Sequence, residues 1–380
     1  MRKFLFIGVV LTCLLFVSCG RGNDYIDELL ENINDLITTT PSPPPSTPAP
    51  IPTPEPTPEP EIYVPMGPVS HLTGLPIYEE YIYRRPIAVV INNLHRALPQ
   101  SGILSADVIY EVLTEGDVTR ILGIFQSCIP EKIGPVRSMR DYLIDLALNH
   151  DAIFVHHGQS PNSYRRIPLL RGARLDGMAL EGPVFWRDRS YPAWFTLNTG
   201  QRPFEHSSFT NFERIQAHVG RVGIRYSWPE DVSTFGFSFY SGDSPDSEGM
   251  GEANVIHVPF SQGYPRTFTY DPEQGLYLVE NRHGPHLDEE GEQIMVRNVI
   301  IQFVNKSLIA GDDAGRRTVQ TVGAGRGYLA ANGSYQPIRW VRETHTTPTR
   351  WYFYDGTPMY LMPGKTWINV FQTTGTVVFE

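Results

Sequence analysis

The sequence predicts an α+β protein, in which an N-terminal mixed α/β domain is followed by a mostly antiparallel β-rich domain. Two observations favour this class. Between residues 85 and 157, short apolar runs typical of buried strands alternate with one segment of helical periodicity. After about residue 230, short β-rich runs follow one another, separated by Gly, Asn, Asp and Pro. We therefore expect two domains, over residues 66–230 and 231–380, each long enough to bury a core.

The first 18 residues have the pattern of a bacterial signal peptide. Arg2 and Lys3 precede the 14-residue apolar run FLFIGVVLTCLLFV, which is shorter than a membrane-spanning helix requires. The run leads into VSCG, where the small residue Ser18 precedes Cys19. This resembles a lipobox, in which the cysteine is acylated and becomes the mature N-terminus. We expect Cys19 to carry lipid (including palmitate) and to anchor the protein at the extracytoplasmic face of the cell membrane. A plain secretory signal or an N-terminal anchor is the alternative.

Two connecting segments should separate this anchor from the globular part. Residues 19–38 contain DYIDELLENINDLI, whose apolar spacing and early acids favour a short acidic helix. Residues 39–65 form a linker in which 11 of the chain's 33 prolines lie between Pro41 and Pro60. Because proline fixes φ and removes a backbone donor, we expect an extended spacer. Roughly 20 such residues at ~3.1 Å each would reach about 60 Å from the membrane.

Charge and cysteine content exclude some classes of protein. The chain has a formal net charge of −10, and its globular part is also acidic, so we expect no nucleic-acid partner. With Cys13 removed and Cys19 lipidated, Cys128 is alone in the mature chain and cannot form an internal disulfide. It follows the apolar run ILGIFQS, and we expect it to be a small residue of the core.

The elements of the N-terminal domain follow from their periodicity. RPIAVVINN (85–93) is a continuous apolar run and predicts a buried strand. LSADVIYEVL and TRILGIFQS flank the turn letters TEGD and predict a β-hairpin. SMRDYLIDLALNH has apolar residues at helical spacing, and DAIFVHH (151–157) returns to a strand pattern.

The C-terminal domain shows only strand-like runs, such as ANVIHVPF, NVIIQFV, IRWVRE and TWINVFQ. Residues 243–251 are rich in Asp, Ser, Gly and Glu, and this stretch is either the domain boundary itself or a loop within the C-terminal domain. GAGRGYLAANG (323–333) predicts a loop and a hairpin. PGKTWIN predicts a turn before a strand and not a phosphate loop, because the upstream glycine is missing and Met359 stands in its place.

Several longer sequence segments resemble those of one protein family. RPIAVVINN, EKIGPVRSMRDYLIDLA, DAIFVHHGQSP, EHSSFTN and PGKTWINV resemble the YerB-like family of bacterial lipoproteins, from about residue 84 to the C-terminus. The resemblance implies a two-part body behind a lipid anchor. It implies no activity, because the family is known mainly as a domain of unknown function. RPFEHSSFTN departs from the family's shorter Pro-His-Asn word, which leaves the role of His206 open.

The segment GPVRSMRD offers the strongest candidate site. A turn at Gly134 and Pro135 precedes a predicted helix with Ser138 at its N-cap. Helix starts expose unpaired N–H groups, to which Arg137 and Arg140 would add positive charge, so an anion could bind there. Alternatively, Ser138 only caps the helix, and Arg140 pairs with a nearby acid, namely Asp141, Asp145 or Glu111.

Neighbouring strands bring further polar residues towards this segment. His156 and His157 end one strand and should point to opposite faces, so only one of them can face the arginines. The pair lacks zinc-ligand spacing, and we predict neither a metal nor a cofactor. Glu111 could orient the arginines, or it could simply neutralise Arg120 or its neighbours. Ser160 lies in no G-x-S-x-G word and predicts a turn.

The leading hypothesis is a membrane-anchored lipoprotein that binds an anionic or glycan-like component of the cell envelope. Arg137 and Arg140 would hold the anion, Glu111 would orient them, and His157 would donate a hydrogen bond. Two alternatives stay open: an enzyme acting on cell-wall glycopolymers by hydrolysis or phosphoryl transfer, and a scaffold for a protein partner. The complete set of predicted ligand-binding residues is Arg120, Arg137, Ser138, Arg140, His157 and Glu111.

Overall fold

The computed structural model describes residues 67–229, 231, 235–241 and 250–380. All of them belong to one compact unit, Glu59–Glu380. The predicted lipid attachment at Cys19, the acidic helix and the linker lie outside the described residues, as does most of the predicted boundary within 243–251. These four expectations therefore remain predictions.

Helices form a small part of the described chain. The α-helices are α1 (Glu79–Ile82), α2 (Asp141–Leu148), α3 (Gly177–Leu180) and α4 (Phe212–Val222). Short 3-10 turns cover His95–Ala97, Ile103–Ser105, Glu115–Asp117, Pro161–Arg165, Ile167–Leu170 and Phe204–His206.

Strands dominate the described chain. The N-terminal strands are β1 (Ile87–Asn92), β2 (Val108–Leu113), β3 (Thr119–Phe125), β4 (Ile153–His156), β5 (Arg174–Asp176), β6 (Trp186–Arg187) and β7 (Ser208–Phe209). The C-terminal strands are β8 (Ser238–Phe239), β9 (Gly251–Glu252), β10 (Val255–Pro259), β11 (Pro265–Asp271), β12 (Leu276–Asn281), β13 (Gly284–Pro285), β14 (Met295–Val296), β15 (Asn298–Val304), β16 (Lys306–Leu308), β17 (Arg317–Val319), β18 (Gly323–Ala331), β19 (Ser334–Arg342), β20 (Arg350–Phe353), β21 (Tyr360–Leu361), β22 (Thr366–Gln372) and β23 (Val378–Phe379).

One mixed sheet of 11 strands runs through both halves of the sequence. Its order is β20-β19-β18-β15-β22-β2-β3-β1-β4-β5, with β9 added beside β19. The predicted hairpin of β2 and β3 is confirmed, and β1 pairs antiparallel with β3 but parallel with β4. The halves join where β2 pairs parallel with β22, from Val108 opposite Thr366 to Val112 opposite Val370. Strands from both sides of residue 230 thus share one sheet, and the domain limits remain predictions.

A second, antiparallel sheet lies in the C-terminal half. Its order is β13-β12-β11-β10-β23, with β14 paired to β12. The predicted α+β class, with a mixed N-terminal part and antiparallel C-terminal strands, is confirmed.

Two apolar cores lie on opposite faces of the large sheet. Side chains alternate along a strand, so Val89 and Ile91 of β1 enter one core, while Val90 enters the other. The first core also contains Phe268 of the second sheet, whose ring meets Trp367 of β22 edge to face at 5.9 Å. The second core contains most of α2. Because both faces are covered, β1, β2 and β3 are buried at every position, as their near-continuous apolar runs predict.

Two sequence predictions about single segments are wrong. Cys128 is exposed, because β3 ends at Phe125 and the chain leaves the core before the cysteine. The glycine-rich stretch 323–331 is a strand, β18, and not a loop; only its hairpin turn to β19 is as expected. Gly325 is needed in that strand because an added Cβ would lie 2.5 Å from the Trp340 ring nitrogen.

Candidate functional site

The segment around Arg137 is extended and lies beside the carboxyl ends of β1 and β4. Arg137 N donates to Val90 O at 2.8 Å, and His157 N donates to Arg137 O at 3.0 Å. The helix α2 begins only at Asp141, with Arg140 as its N-cap residue. The prediction that Ser138 caps this helix is therefore wrong. Its hydroxyl donates instead to His157 O at 3.0 Å and ties the segment to the end of β4.

Five of the six predicted ligand residues lie together, in contact through this segment. Arg120 Nη1 donates to Ser138 O at 2.8 Å, and Arg140 Nη1 donates to Met139 O at 2.7 Å. Arg120 reaches the segment because it stands at the start of β3, opposite Asn92 at the end of β1. The pairing of β1 with β3, together with the extended course of residues 137–139, therefore brings the predicted basic residues together.

A single carboxylate, Glu115, holds two of these arginines. Arg140 Nε lies 2.9 Å from Glu115 Oε2, Arg140 Nη2 bonds Oε1, and Arg120 Nη2 lies 3.4 Å from Oε1. Burial alone would raise the pKa of the Glu115 carboxyl, but hydrogen bonding from Arg140 and the nearby guanidinium charges outweigh it and lower the pKa to about 2. The sequence predicts Asp141, Asp145 or Glu111 as the partner of Arg140, and the structure shows Glu115 instead. No local pattern selects Glu115, because it lies in the turn between β2 and β3, 25 residues from Arg140 in sequence.

Glu111 lies on the other face of the sheet. It stands opposite Ile121, whereas Arg120 stands opposite Val112, so the two side chains point away from each other. Its carboxylate accepts hydrogen bonds from Arg266 at 2.8 and 3.0 Å and from Thr119 Oγ1 at 2.6 Å. The prediction that Glu111 orients Arg137 and Arg140 is therefore wrong, and Glu111 is a core residue paired with a distant part of the chain.

Arg187 joins the site and was not predicted as part of it. Its Nη2 donates to His157 Nε2 at 3.0 Å, and its Nε donates to Glu181 Oε1 at 2.8 Å. Its guanidinium also stacks on the ring of Phe204, with 4.1 Å to the ring centroid. Arg187 lies in the segment FWRDRSYP, which together with QRPFEH indicates long loops. No spacing within these segments distinguishes Arg187 from its neighbours.

His157 positions Arg187 and has no N–H left for a ligand. Arg187 can only donate, so Nε2 must accept and Nδ1 must carry the proton, which it donates to Ser208 Oγ at 2.8 Å. Burial lowers the pKa of His157, and the positive charge of Arg187 lowers it further, so the neutral ring is favoured. Gly177 leaves room for the ring, since an added Cβ would lie 2.2 Å from Nδ1. The expected hydrogen bond from His157 to an anion is thus replaced by a positioning role.

The two adjacent histidines face different environments, as predicted. His156 is buried, its Nδ1 lies 2.8 Å from Gly158 O, and burial lowers its pKa to about 4. Ser160 bonds Ser163 Oγ at 2.8 Å at the start of a 3-10 turn, which fits the predicted turn. His206, whose role the sequence left open, lies 2.8 Å from Asn92 Nδ2 at the end of β1.

Arg137 differs from the other arginines of the site. Its Nη1 donates to Glu205 O at 2.8 Å, and among the described residues it forms no ion pair with a carboxylate. We use the term arginine cluster for Arg120, Arg137, Arg140 and Arg187. Within the described ranges, only Glu115 and Glu181 form ion pairs with this cluster, so it has two positive charges more than its paired carboxylates. The side chains of Arg120 and Arg140 are 6% and 10% exposed, while Arg137 is half-buried.

Two further observations limit the chemistry that this part of the chain offers. Within residues 67–380, excluding the gaps given above, no group of three or more His, Cys, Asp or Glu side chains could hold a metal ion. Among the same residues, no helix is both long enough and apolar enough to cross a membrane.

The fold and the site define an α+β protein whose two largest sheets share an apolar core, with a largely buried arginine cluster at the carboxyl ends of parallel strands. Two profiles match this chain: "Protein of unknown function (DUF3048) N-terminal domain" over residues 72–225, and the DUF3048 C-terminal domain over residues 256–368. The chain belongs to the DUF3048 family.

A sequence relative and a solved structure support this assignment. YerB of Bacillus subtilis (strain 168), a protein named as a lipoprotein, is 31% identical over 305 residues, which are 79% of this chain and 85% of YerB. The crystal structure of the YerB protein from Bacillus subtilis matches with a TM-score of 0.67 and 30% identity, covering 82% of this chain and 99% of that one. The predicted family resemblance is confirmed. The family description assigns no activity, and a shared fold does not supply one.

Proposed function

We propose that this protein is a lipoprotein, anchored through Cys19 at the extracytoplasmic face of the membrane, whose body binds an anionic, glycan-like component of the cell envelope at the arginine cluster. The observation that supports this proposal most concerns the contacts of the Arg137 side chain. Its guanidinium has no carboxylate partner among the described residues, although it lies among three other arginines. A phosphate or carboxylate of a ligand would supply the missing partner, since a guanidinium binds both in a two-point geometry.

The neighbouring contacts favour binding at this position. Glu115 fixes Arg140 and Arg120, so their positive charge is held close to Arg137 without being free to move. His157 and Glu181 fix Arg187 in the same way. The location also agrees with a general tendency of sheets with parallel strands to bind ligands at the carboxyl ends of those strands.

An exposed aromatic ring favours a sugar as part of the ligand. Phe204 is 56% exposed and carries the Arg187 guanidinium on its ring. Sugar rings pack on exposed aromatic rings, and a negatively charged group on the same ligand could then reach Arg137. The binding of an acidic glycan is favoured over a reaction on it, because the carboxylates of Glu115 and Glu181 are paired with arginines and both nitrogens of His157 are engaged.

The proposal is tested by binding to the full-length, detergent-solubilised protein. The probes are poly(glycerol phosphate), polygalacturonate and neutral dextran, and the readout is the shift in Tm with a parallel titration. We expect the anionic polymers to raise the Tm of the wild type and dextran to leave it unchanged. Arg137→Gln should lose most of the shift. Arg350→Gln is the matched control, because it removes an exposed arginine of β20 outside the cluster.

Two results would contradict the proposal. Equal shifts for the wild type and Arg137→Gln would remove Arg137 from any binding site. Equal effects of dextran and the anionic polymers on the wild type would show that charge is not recognised. A Tm for unliganded Arg137→Gln close to that of the wild type would confirm that the variant is folded.

A further inference from the structure

A second basic site lies at the opposite ends of the same parallel strands. It is a cavity of about 700 Å³. We call it the Arg171 cavity. Arg85 precedes β1, Asp151 precedes β4, and Arg174 begins β5, so the cavity lies at the amino ends of strands whose carboxyl ends carry the arginine cluster. None of the cluster arginines is among the residues that line it.

The charged lining of this cavity is strongly unbalanced. Among the residues that the structure describes, Asp151 is the one acidic residue lining the cavity. It already holds two arginines: Arg85 Nη2 lies 3.1 Å from Oδ1 and Arg225 Nη2 lies 2.5 Å from Oδ2. Arg171 and Arg174 also line the cavity, and neither guanidinium has a hydrogen-bond or ion-pair partner within the described part of the chain. His218 and Thr346 also line the cavity, and His218 Nδ1 lies 2.8 Å from Arg221 Nη2.

The backbone groups of the same wall are already satisfied. The cavity also meets the carboxyl-terminal ends of α2 and α4, at Leu148 and Val222, where carbonyl groups carry partial negative charge. Carbonyls of these helix ends are paired within the backbone, since Leu148 O accepts from Asp151 N at 3.3 Å and Val219 O accepts from Ile224 N at 3.1 Å. The buried Arg85 pairs two carbonyls beyond the helices, with Nε donating to Asp151 O at 2.5 Å and Nη1 donating to Arg225 O at 3.3 Å. Arg171 and Arg174 are therefore in excess of the groups that the wall itself needs to pair.

The backbone of Arg171 supports a role beyond folding. Its φ and ψ are 47° and 41°, the left-handed region, and Gly172 follows with φ 82°. A side chain disfavours this conformation, and Gly or Asn adopts it more easily. Residues held in such conformations cluster at ligand sites, where the side chain is needed. Here the strained position carries one of the two unpaired guanidinium groups that line the basic cavity.

The size and the apolar part of the lining indicate the class of ligand. A volume of about 700 Å³ is within the range of small-molecule sites and far larger than a bare phosphate ion needs. Leu148, Leu169, Leu170 and Phe235 contribute apolar surface. We infer that the Arg171 cavity binds a phosphate ester with an organic body, the phosphate lying between Arg171 and Arg174 and the body against the apolar wall. This site is independent of the proposed function of the arginine cluster.

The experiment uses the full-length protein in a non-ionic detergent. Calorimetric titrations use four probes: inorganic phosphate, glucose, glucose 1-phosphate and dihexanoyl phosphatidylglycerol. We expect at least one of the two phosphate esters to bind at least tenfold more tightly than both inorganic phosphate and glucose. Glucose 1-phosphate would indicate a soluble ester as the source of the ligand, and the phosphatidylglycerol would indicate a lipid headgroup.

Variants locate the binding in the cavity. Arg171→Gln with Arg174→Gln should weaken binding of the preferred ester at least tenfold. The control pair, Arg165→Gln with Arg350→Gln, removes the same charge from exposed positions outside the cavity and should change the affinity by less than twofold. Arg137→Gln should also change it by less than twofold, which separates this site from the arginine cluster.

Arg171→Gly gives a readout that a structural role would not produce. Glycine relieves the left-handed backbone, so we expect a Tm equal to or above that of the wild type together with weaker binding of the ester. The inference is overturned if the wild type binds neither ester more tightly than inorganic phosphate, or if the Arg171 and Arg174 double variant binds as tightly as the control pair.

Discussion

Glu111 and Arg266 form a two-point ion pair in the interior of the protein. Arg266 Nε donates to Glu111 Oε2 at 2.8 Å and Arg266 Nη2 donates to Oε1 at 3.0 Å, and each side chain is 1% exposed. Glu111 belongs to β2 of the large sheet, and Arg266 belongs to β11 of the second sheet. His286 adds to the network, with Nδ1 2.8 Å from Arg266 Nη1. The pair therefore links the two sheets, and it links the two segments matched by the family profiles.

Removing one partner of this pair should strongly destabilise the protein. Glu111→Ala leaves the Arg266 guanidinium buried without its carboxylate, and we expect the free energy of unfolding to fall by about 3–5 kcal/mol. Denaturant unfolding of the full-length protein, followed by tryptophan fluorescence, measures this loss. The double variant Glu111→Leu with Arg266→Met should recover at least half of it, because no unpaired charge remains. A loss below about 1 kcal/mol for Glu111→Ala would contradict a pair that links the sheets.

The ion pairs of Glu115 with the arginine cluster predict that the protein loses stability in acid. The folded-state pKa of Glu115, about 2, is below its ordinary value of 4.5. Its stabilising contribution is therefore complete above pH 4.5 and is lost as the pH falls towards 2. Because the side chain is 22% exposed, we expect Glu115→Gln to lower the free energy of unfolding at pH 7 by roughly 1–2 kcal/mol, less than the full shift implies.

Urea unfolding at pH 7, 4 and 2.5 checks this window. The difference between the wild type and Glu115→Gln should shrink across the series. Glu181→Gln is the control, since its ion pair with Arg187 is more exposed and should contribute less than about 0.5 kcal/mol at any of these pH values. A Glu115→Gln difference that stays constant down to pH 2.5 would show that the carboxylate charge is not responsible.

The sequence predicted the strands better than the site, for a physical reason. Continuous apolar runs such as IAVVIN report burial on both faces directly, and β1 has that pattern. The convergence of Arg120, Arg137 and Arg140 could also be expected, because they flank neighbouring elements. The partner of Glu111 could not be expected, since Arg266 lies 155 residues away and no local pattern encodes a pairing between two sheets.

The Arg171 cavity could not be predicted from the sequence either. Arg85, Asp151 and Arg174 are far apart in sequence and meet only because β1, β4 and β5 are parallel and begin at one edge. No spacing in the sequence distinguishes Arg85 and Arg174 from the other lysines and arginines, 31 in total, or Asp151 from the other acidic residues. Strand order, which fixes their meeting, depends on long-range pairing that a single sequence does not specify.

His150 predicts a second pH window, separate from that of Glu115. It is buried, with Nε2 2.9 Å from Tyr110 Oη and Nδ1 3.1 Å from Phe235 O, and burial lowers its pKa from 6.5 to about 4. Between pH 6.5 and pH 4 the unfolded chain binds a proton that the folded chain excludes. Stability is therefore lost as the pH falls through this interval. The slope of the unfolding free energy should contain about 1 kcal/mol per pH unit from this group near pH 5.

His150→Gln isolates this contribution. The variant also loses packing, but that loss is the same at each pH, so the slope and not the absolute stability is the readout. We expect the slope between pH 4.5 and 6 to fall by about 1 kcal/mol per pH unit relative to the wild type. Unchanged slopes in the two proteins would mean that His150 titrates alike in the folded and unfolded chains.

The number of reactive cysteines tests the predicted lipid anchor at Cys19. The precursor has Cys13, Cys19 and Cys128, and Cys128 is exposed. If residues 1–18 are removed and Cys19 carries a thioether-linked lipid, the native membrane-bound protein should react with a maleimide at Cys128 alone. Mass spectrometry of the labelled protein should show one adduct, and Cys128→Ser should show none. An adduct that persists in membrane-bound Cys128→Ser would show a free thiol nearer the N-terminus and contradict lipidation at Cys19, whereas an unlabelled wild type would contradict the exposed position of Cys128.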